Sequence, residues 1–217
     1  MGKTFNQTIA SIISYLFHPI WVPSITTYYL IQLYQQQMME GVDGLLLKIT
    51  VLFSVVLPLF SSILLKLTGV ISSLKMPISS ERRIPLFLSF SYFLIMAHLF
   101  NALQVIPFDF ILMAFGAALS IFTALILLPY SKVSIHTLSI GSIWGVIFAI
   151  SQSYQTNLFG MLILLSLIAG LVGFSRLSLK AHSPAQIYSG FLIGLSFQII
   201  CFLFQDLVYH ILNFKIL

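Results

Sequence analysis

From residue 9 to residue 210 the chain alternates long apolar stretches with short polar breaks, and that alternation decides its class. Seven stretches qualify as membrane spans: 9–33, 44–68, 86–106, 108–130, 134–152, 158–176 and 184–210. Each approaches or exceeds the roughly 20 apolar residues that one crossing requires. Backbone in hydrocarbon must satisfy its own hydrogen bonds, so such stretches are helices. Only 7% of the 217 residues are charged, far too few to solvate a globular domain of this length. The expectation is an all-α, polytopic transmembrane helical bundle of six to seven spans, a single domain over residues 1–217. Pro19 and Pro23 are expected to kink the first span, and Pro107 to mark a tight hairpin in "IPFD". The N-terminus carries a lysine and an apolar run but no small-residue cleavage site, so it reads as a retained span.

Counting crossings assigns the polar breaks to sides. With seven spans, the N-terminus and the breaks at 69–85, 131–134 and 177–183 share one face. Lys75, Glu81, Arg82, Arg83, Lys132, Ser134, His136, Arg176, Lys180 and His182 all lie there. The chain has ten cations against five anions, a formal charge of +5. Two readings follow. Cations gather on the cytoplasmic face of membrane proteins as an orientation signal; they also gather where an anion binds. Orientation requires no histidines or serines at helix starts, and their presence favours the anion site. The single cysteine, Cys201, excludes an internal disulfide and a cysteine-rich zinc site.

Three segments carry the chemistry. In "LKMPISSERRIPL" (74–86), Lys75 and Arg82 stand seven apart and Arg83 follows. A guanidinium offers a planar fork of donors to phosphate oxygens, and an ammonium adds a compact charge. In "SKVSIHTLSIGSIWG" (131–145), Ser134 is placed to cap a helix whose free amides favour an anion, with His136 in its first turn. In "FSRLSLKAHSPAQIYSG" (174–190), Arg176 ends one span and Ser183–Pro184 open the next. His182 immediately precedes that helix, and Gln186, four residues on, is within reach of its imidazole.

Together the segments resemble the three-part signature of the type 2 phosphatidic acid phosphatase superfamily, which includes membrane lipid phosphatases and vanadium haloperoxidases. "KMPISSERRIP" matches the first part at Lys75 and Arg82, with Arg83 intervening before Pro85. "VSIH" matches the second at Ser134 and His136, with Val133 and Ile135 replacing a proline and a glycine. "SRLSLKAHSPAQ" matches the third at Ser175, Arg176 and His182, with Gln186 where the family has aspartate. The likeness covers residues 75–186. The family's bundle typically has six helices, and its first two segments usually share one stretch outside the bilayer, whereas here two apolar spans separate them.

The resemblance implies a metal-independent phosphatase without cofactor, acting on a lipid phosphate or an isoprenoid (di)phosphate. Lys75, Arg82, Arg83 and Arg176 would hold phosphate oxygens, assisted by Ser134 and Ser175. His182 would attack phosphorus to form a phospho-histidine, Gln186 would orient it, and His136 would protonate the leaving alcohol. Gln186 supplies no charge, which motivates an alternative: a weakened or inactive member that binds anionic lipid or serves as a subunit of a membrane complex. The implied partners are membrane lipids and no nucleic acid, and the implied location is a bacterial inner (plasma) membrane. A third reading, a transporter, rests on His98, Asn101 and Gln104 as a polar stripe. His18, beside Pro19, reads as bonding a freed carbonyl, and Asp206 and His210 as an interfacial pair.

Overall fold

The computed structural model describes residues 5–76 and 78–213. It is 80% helical, with no strand among the described residues, and is a helical bundle. In chain order the helices are α1 (Phe5–Leu16), α2 (Val22–Tyr34), α3 (Val42–Val51), α4 (Leu57–Leu67), α5 (Arg83–Leu103), α6 (Phe108–Leu127), α7 (Ile135–Ser153), α8 (Phe159–Ser178), α9 (Pro184–Leu203) and α10 (Gln205–Leu212). A π turn, Leu52–Val56, joins α3 to α4, and the pair forms one span, Val42–Leu67. Pro58 has no N–H to return to Ser54, so the helical ladder slips by a residue just before it.

Among the described residues six helices are long and apolar enough to cross a membrane, one fewer than the seven apolar stretches of the sequence. The expected first span, 9–33, breaks at residues 17–21 into α1 and α2, of 12 and 13 residues, each too short to cross. Pro19 lies in the break and Pro23 in the first turn of α2, so the ladder loses donors at both places. The expected last span, 184–210, ends at Leu203, and α10 restarts beyond a turn at Phe204.

The seam between α7 and α9 organises the bundle. Glycines on both helices bring the backbones together: a Cβ on Gly145 would lie 2.7 Å from the Leu195 carbonyl oxygen, and one on Gly194 would collide with that of Leu138. α6 packs against α9 and α5, burying Phe110, Leu112 and Ala114. α8 lies at the outside with α1 along it. The seam also fixes the starts of α7 and α9 side by side. The Ser134 amide donates to the Gln186 carbonyl at 3.1 Å, and the Thr137 hydroxyl to the Ile187 carbonyl at 2.9 Å.

Candidate functional site at the starts of α7 and α9

His182 is placed by the entry to α9. Ser183 caps that helix in a capping box: its hydroxyl accepts from the Gln186 amide, and the Gln186 side chain accepts the Ser183 N–H at 3.2 Å. The same Gln186 Oε1 lies 3.2 Å from His182 Nδ1, and the Lys132 carbonyl lies 3.1 Å from it. Both neighbours of Nδ1 are therefore acceptors, and Nδ1 must carry the proton. Nε2 keeps its lone pair and takes no hydrogen bond among the described residues. The ring is 8% exposed. Burial, and next the charge of Arg176, push its pKa down to about 4, so the imidazole is neutral near pH 7.

Arg176, in the last turn of α8, is the centre of the cluster. Its charge acts on His18, His136, His182, Arg82 and Lys132. Nη1 donates to the Ser14 hydroxyl at 2.7 Å, whereas Nε is buried with no partner. A buried guanidinium donor left unpaired is costly, and it calls for an acceptor from a water, an ion or a ligand. Ser14 also lies 3.3 Å from His136 Nε2. The His18 ring meets the His136 ring edge-on, with centroids 5.2 Å apart. Three segments distant in sequence thus meet at one end of the bundle, joined by residues of α1.

The residues singled out by sequence divide into those this cluster includes and those it leaves outside. His182, Gln186, His136, Arg176 and Arg82 belong to it; Arg82 Nε is held by the Met76 carbonyl at 3.1 Å. Lys132 joins through its carbonyl and its charge; burial, then Arg82 and Arg176, lower its pKa. Lys75 is exposed on the loop before α5 and makes no described contact with the histidines. Ser134 is fully buried, its hydroxyl spent on the Thr137 amide, so it caps α7 rather than facing a ligand. Ser175 is also fully buried and donates to the Ala10 carbonyl at 2.7 Å, tying α8 to α1 instead of reaching the cluster. Arg83 is exposed and lines a polar cavity of about 550 Å³ with Ser79, Ser80, Ser131 and two residues of the cluster, Lys132 and Gln186. None of His136, His182 and Arg176 lines that cavity, which sits beside the cluster.

Ser14 escaped the sequence reading, and His18 was read there in another role. His18 does not serve the kink by bonding a carbonyl: its Nδ1 accepts from the Ile20 amide at 3.4 Å, and its ring turns to His136. The stripe considered for transport is dispersed: His98 and Gln104 are exposed, and Asn101 bonds Asn213 at 3.0 Å. Asp206 and His210 form no ion pair; His210 packs on Tyr209. Among the described residues no three His, Cys, Asp or Glu side chains are grouped to hold a metal ion, and no metal site is assigned. In comparisons with protein-family models, curated proteins and solved structures, no match was found.

Proposed function

We propose that this protein is an integral membrane phosphatase that hydrolyses a lipid-borne phosphate ester through a phospho-histidine on His182. The observation that carries the reading is a pair of vacant valences: the neutral His182 with Nε2 free, and the buried Arg176 Nε without a partner. A nucleophile and a cation, both unsatisfied and electrostatically coupled, are what an incoming phosphate requires. The resemblance over residues 75–186 points the same way, and with it a bacterial plasma membrane as the location.

In the proposed reaction Arg176, Arg82 and Lys132 bind the non-bridging oxygens. The Nε2 lone pair of His182 attacks phosphorus, the new P–N bond forms, and the bond to the leaving alkoxide breaks. Its positive charge is shared through Nδ1–H, held by Gln186 and the Lys132 carbonyl. His136 delivers a proton to the alkoxide; a bound dianion favours the charged imidazole that this step needs. Water then attacks phosphorus, His136 takes its proton back, and the P–N bond breaks to restore His182. Gln186 orients the ring as an aspartate would, without compensating its charge.

The test is release of inorganic phosphate from a lipid phosphate monoester by purified protein in detergent. Wild-type protein is expected to release it and His182→Ala to lose the release; equal rates from the two would overturn the mechanism. The neutral Gln186 favours a second reading, in which the same site binds anionic lipid without turnover. Saturable lipid binding with no phosphate release in wild type, and turnover appearing on Gln186→Asp, is the outcome that reading expects.

A further inference from the structure

Ser14 stands on α1, far in sequence from every residue of the signature, yet it is the only side chain bonded to both Arg176 and His136 among the described residues. A serine in mid-helix ordinarily returns its proton to the carbonyl four residues earlier. That acceptor, the Ala10 carbonyl, is occupied by the Ser175 hydroxyl at 2.7 Å. The Ser14 oxygen accepts the Arg176 Nη1 proton at 2.7 Å, and the same oxygen lies 3.3 Å from His136 Nε2.

We infer that Ser14 is a positioning residue for His136 and Arg176, and that α1 thereby completes the site. This rests on the phosphatase reading. A hydroxyl oxygen has two lone pairs, so the Ser14 oxygen can accept from Arg176 Nη1 and from a ring N–H at once. With Nε2 carrying a proton directed at Ser14, the His136 ring keeps that bond in both protonation states, and Nδ1 is the atom that gives its proton to the leaving alkoxide and regains one from water. The same oxygen fixes Nη1 of Arg176, which leaves the unpartnered Nε as the donor for phosphate. His18, edge-on to the His136 ring, closes its other side. α1 is tied to α8 here by two side-chain bonds, Ser175 to Ala10 and Arg176 to Ser14, so the site and the seating of α1 are one structure.

The isosteric pair Ser14→Thr and Ser14→Val separates the hydroxyl from the shape. On lipid phosphate in detergent, Ser14→Val is expected to lower kcat about tenfold or more with little change in KM, the scale of impaired proton transfer. Its pH–rate profile is expected to lose or displace the limb belonging to His136, and Ser14→Thr to restore both kcat and profile. Equal kcat and equal pH profiles for the Thr and Val variants, whether both active or both impaired, would overturn the inference. A wild-type protein that releases no phosphate would instead defeat the phosphatase reading, and the two failures are thereby distinguished.

Discussion

The two ends of the bundle handle buried polar groups in opposite ways. At the end away from the histidines, Asp109 is 4% exposed at the start of α6. Tyr34 and Tyr154 both donate to its Oδ2, the latter at 3.0 Å. Its position in the first turn of α6 also suits the helix dipole. Its three side chains are joined through that one oxygen, and none of them has a buried atom without a partner. At the other end, Arg176 holds one bond and leaves Nε bare, and His182 has its proton fixed and its lone pair open. The first arrangement ties α2, α6 and the end of α7 together. The second leaves a buried charged donor, Arg176 Nε, without a partner, a state that calls for a water, an ion or a ligand group. An unpartnered buried atom alone does not identify a site either, since Gln198 Oε1 and Ser142 Oγ are in the same state; the open end differs in carrying its unpartnered atom on a guanidinium among histidines.

The largest expected effect is at the open end. His182→Ala is expected to remove phosphate release by about a thousandfold or more, since no nucleophile remains. Arg176→Ala should follow with a loss of about a hundredfold, the scale of one preorganised donor, and Arg176→Lys should recover only part of it because an ammonium lacks the fork. Initial rates at saturating lipid check both.

A smaller effect concerns pH. The folded pKa of His182 is about 4, below the ordinary 6.5, so the neutral nucleophile predominates down to acidic pH. The acidic limb of kcat/KM, which reports the free protein, is expected well below pH 6 rather than near 6.5. The sign for stability agrees. A base with a depressed folded pKa contributes fully above pH 6.5, and that contribution is lost as pH falls towards 4, because only the unfolded chain has taken up the proton.

The smallest effect on activity belongs to the closed end. Asp109→Leu orphans two tyrosine hydroxyls and is expected to cost about 1 to 3 kcal/mol, seen as a lower unfolding midpoint in detergent. Activity per folded molecule should stay at the wild-type level. Loss of activity without loss of stability would erase the contrast between the two ends.

The membrane class and most helices were legible because hydrophobic length is a local property: spans expected at 108–130, 134–152 and 158–176 lie within a few residues of α6, α7 and α8. The reach of Gln186 to His182 was legible too, since four residues on a helix start fix it. The break in the first span was only half readable. Pro19 and Pro23 announced a kink, but whether a kink becomes a complete break depends on what packs against it. The capping role read for Ser134 is seen, whereas the phosphate contacts expected of Ser134 and Ser175 are not, since both hydroxyls are engaged within the bundle. A serine hydroxyl serves a cap, a neighbouring carbonyl or a ligand equally well, and sequence does not say which acceptor is nearest. Ser14 was invisible because its partners, His136 and Arg176, are 122 and 162 residues away.

Covalent labelling tests the central claim most directly. Protein incubated with lipid carrying radiolabelled phosphate, denatured in alkali and digested, is expected to yield label on the peptide containing His182. That label should be lost on acid treatment, as a phosphoramidate is, and be absent from His182→Ala. Sustained phosphate release with no label at His182, or label unchanged in the alanine variant, would contradict it.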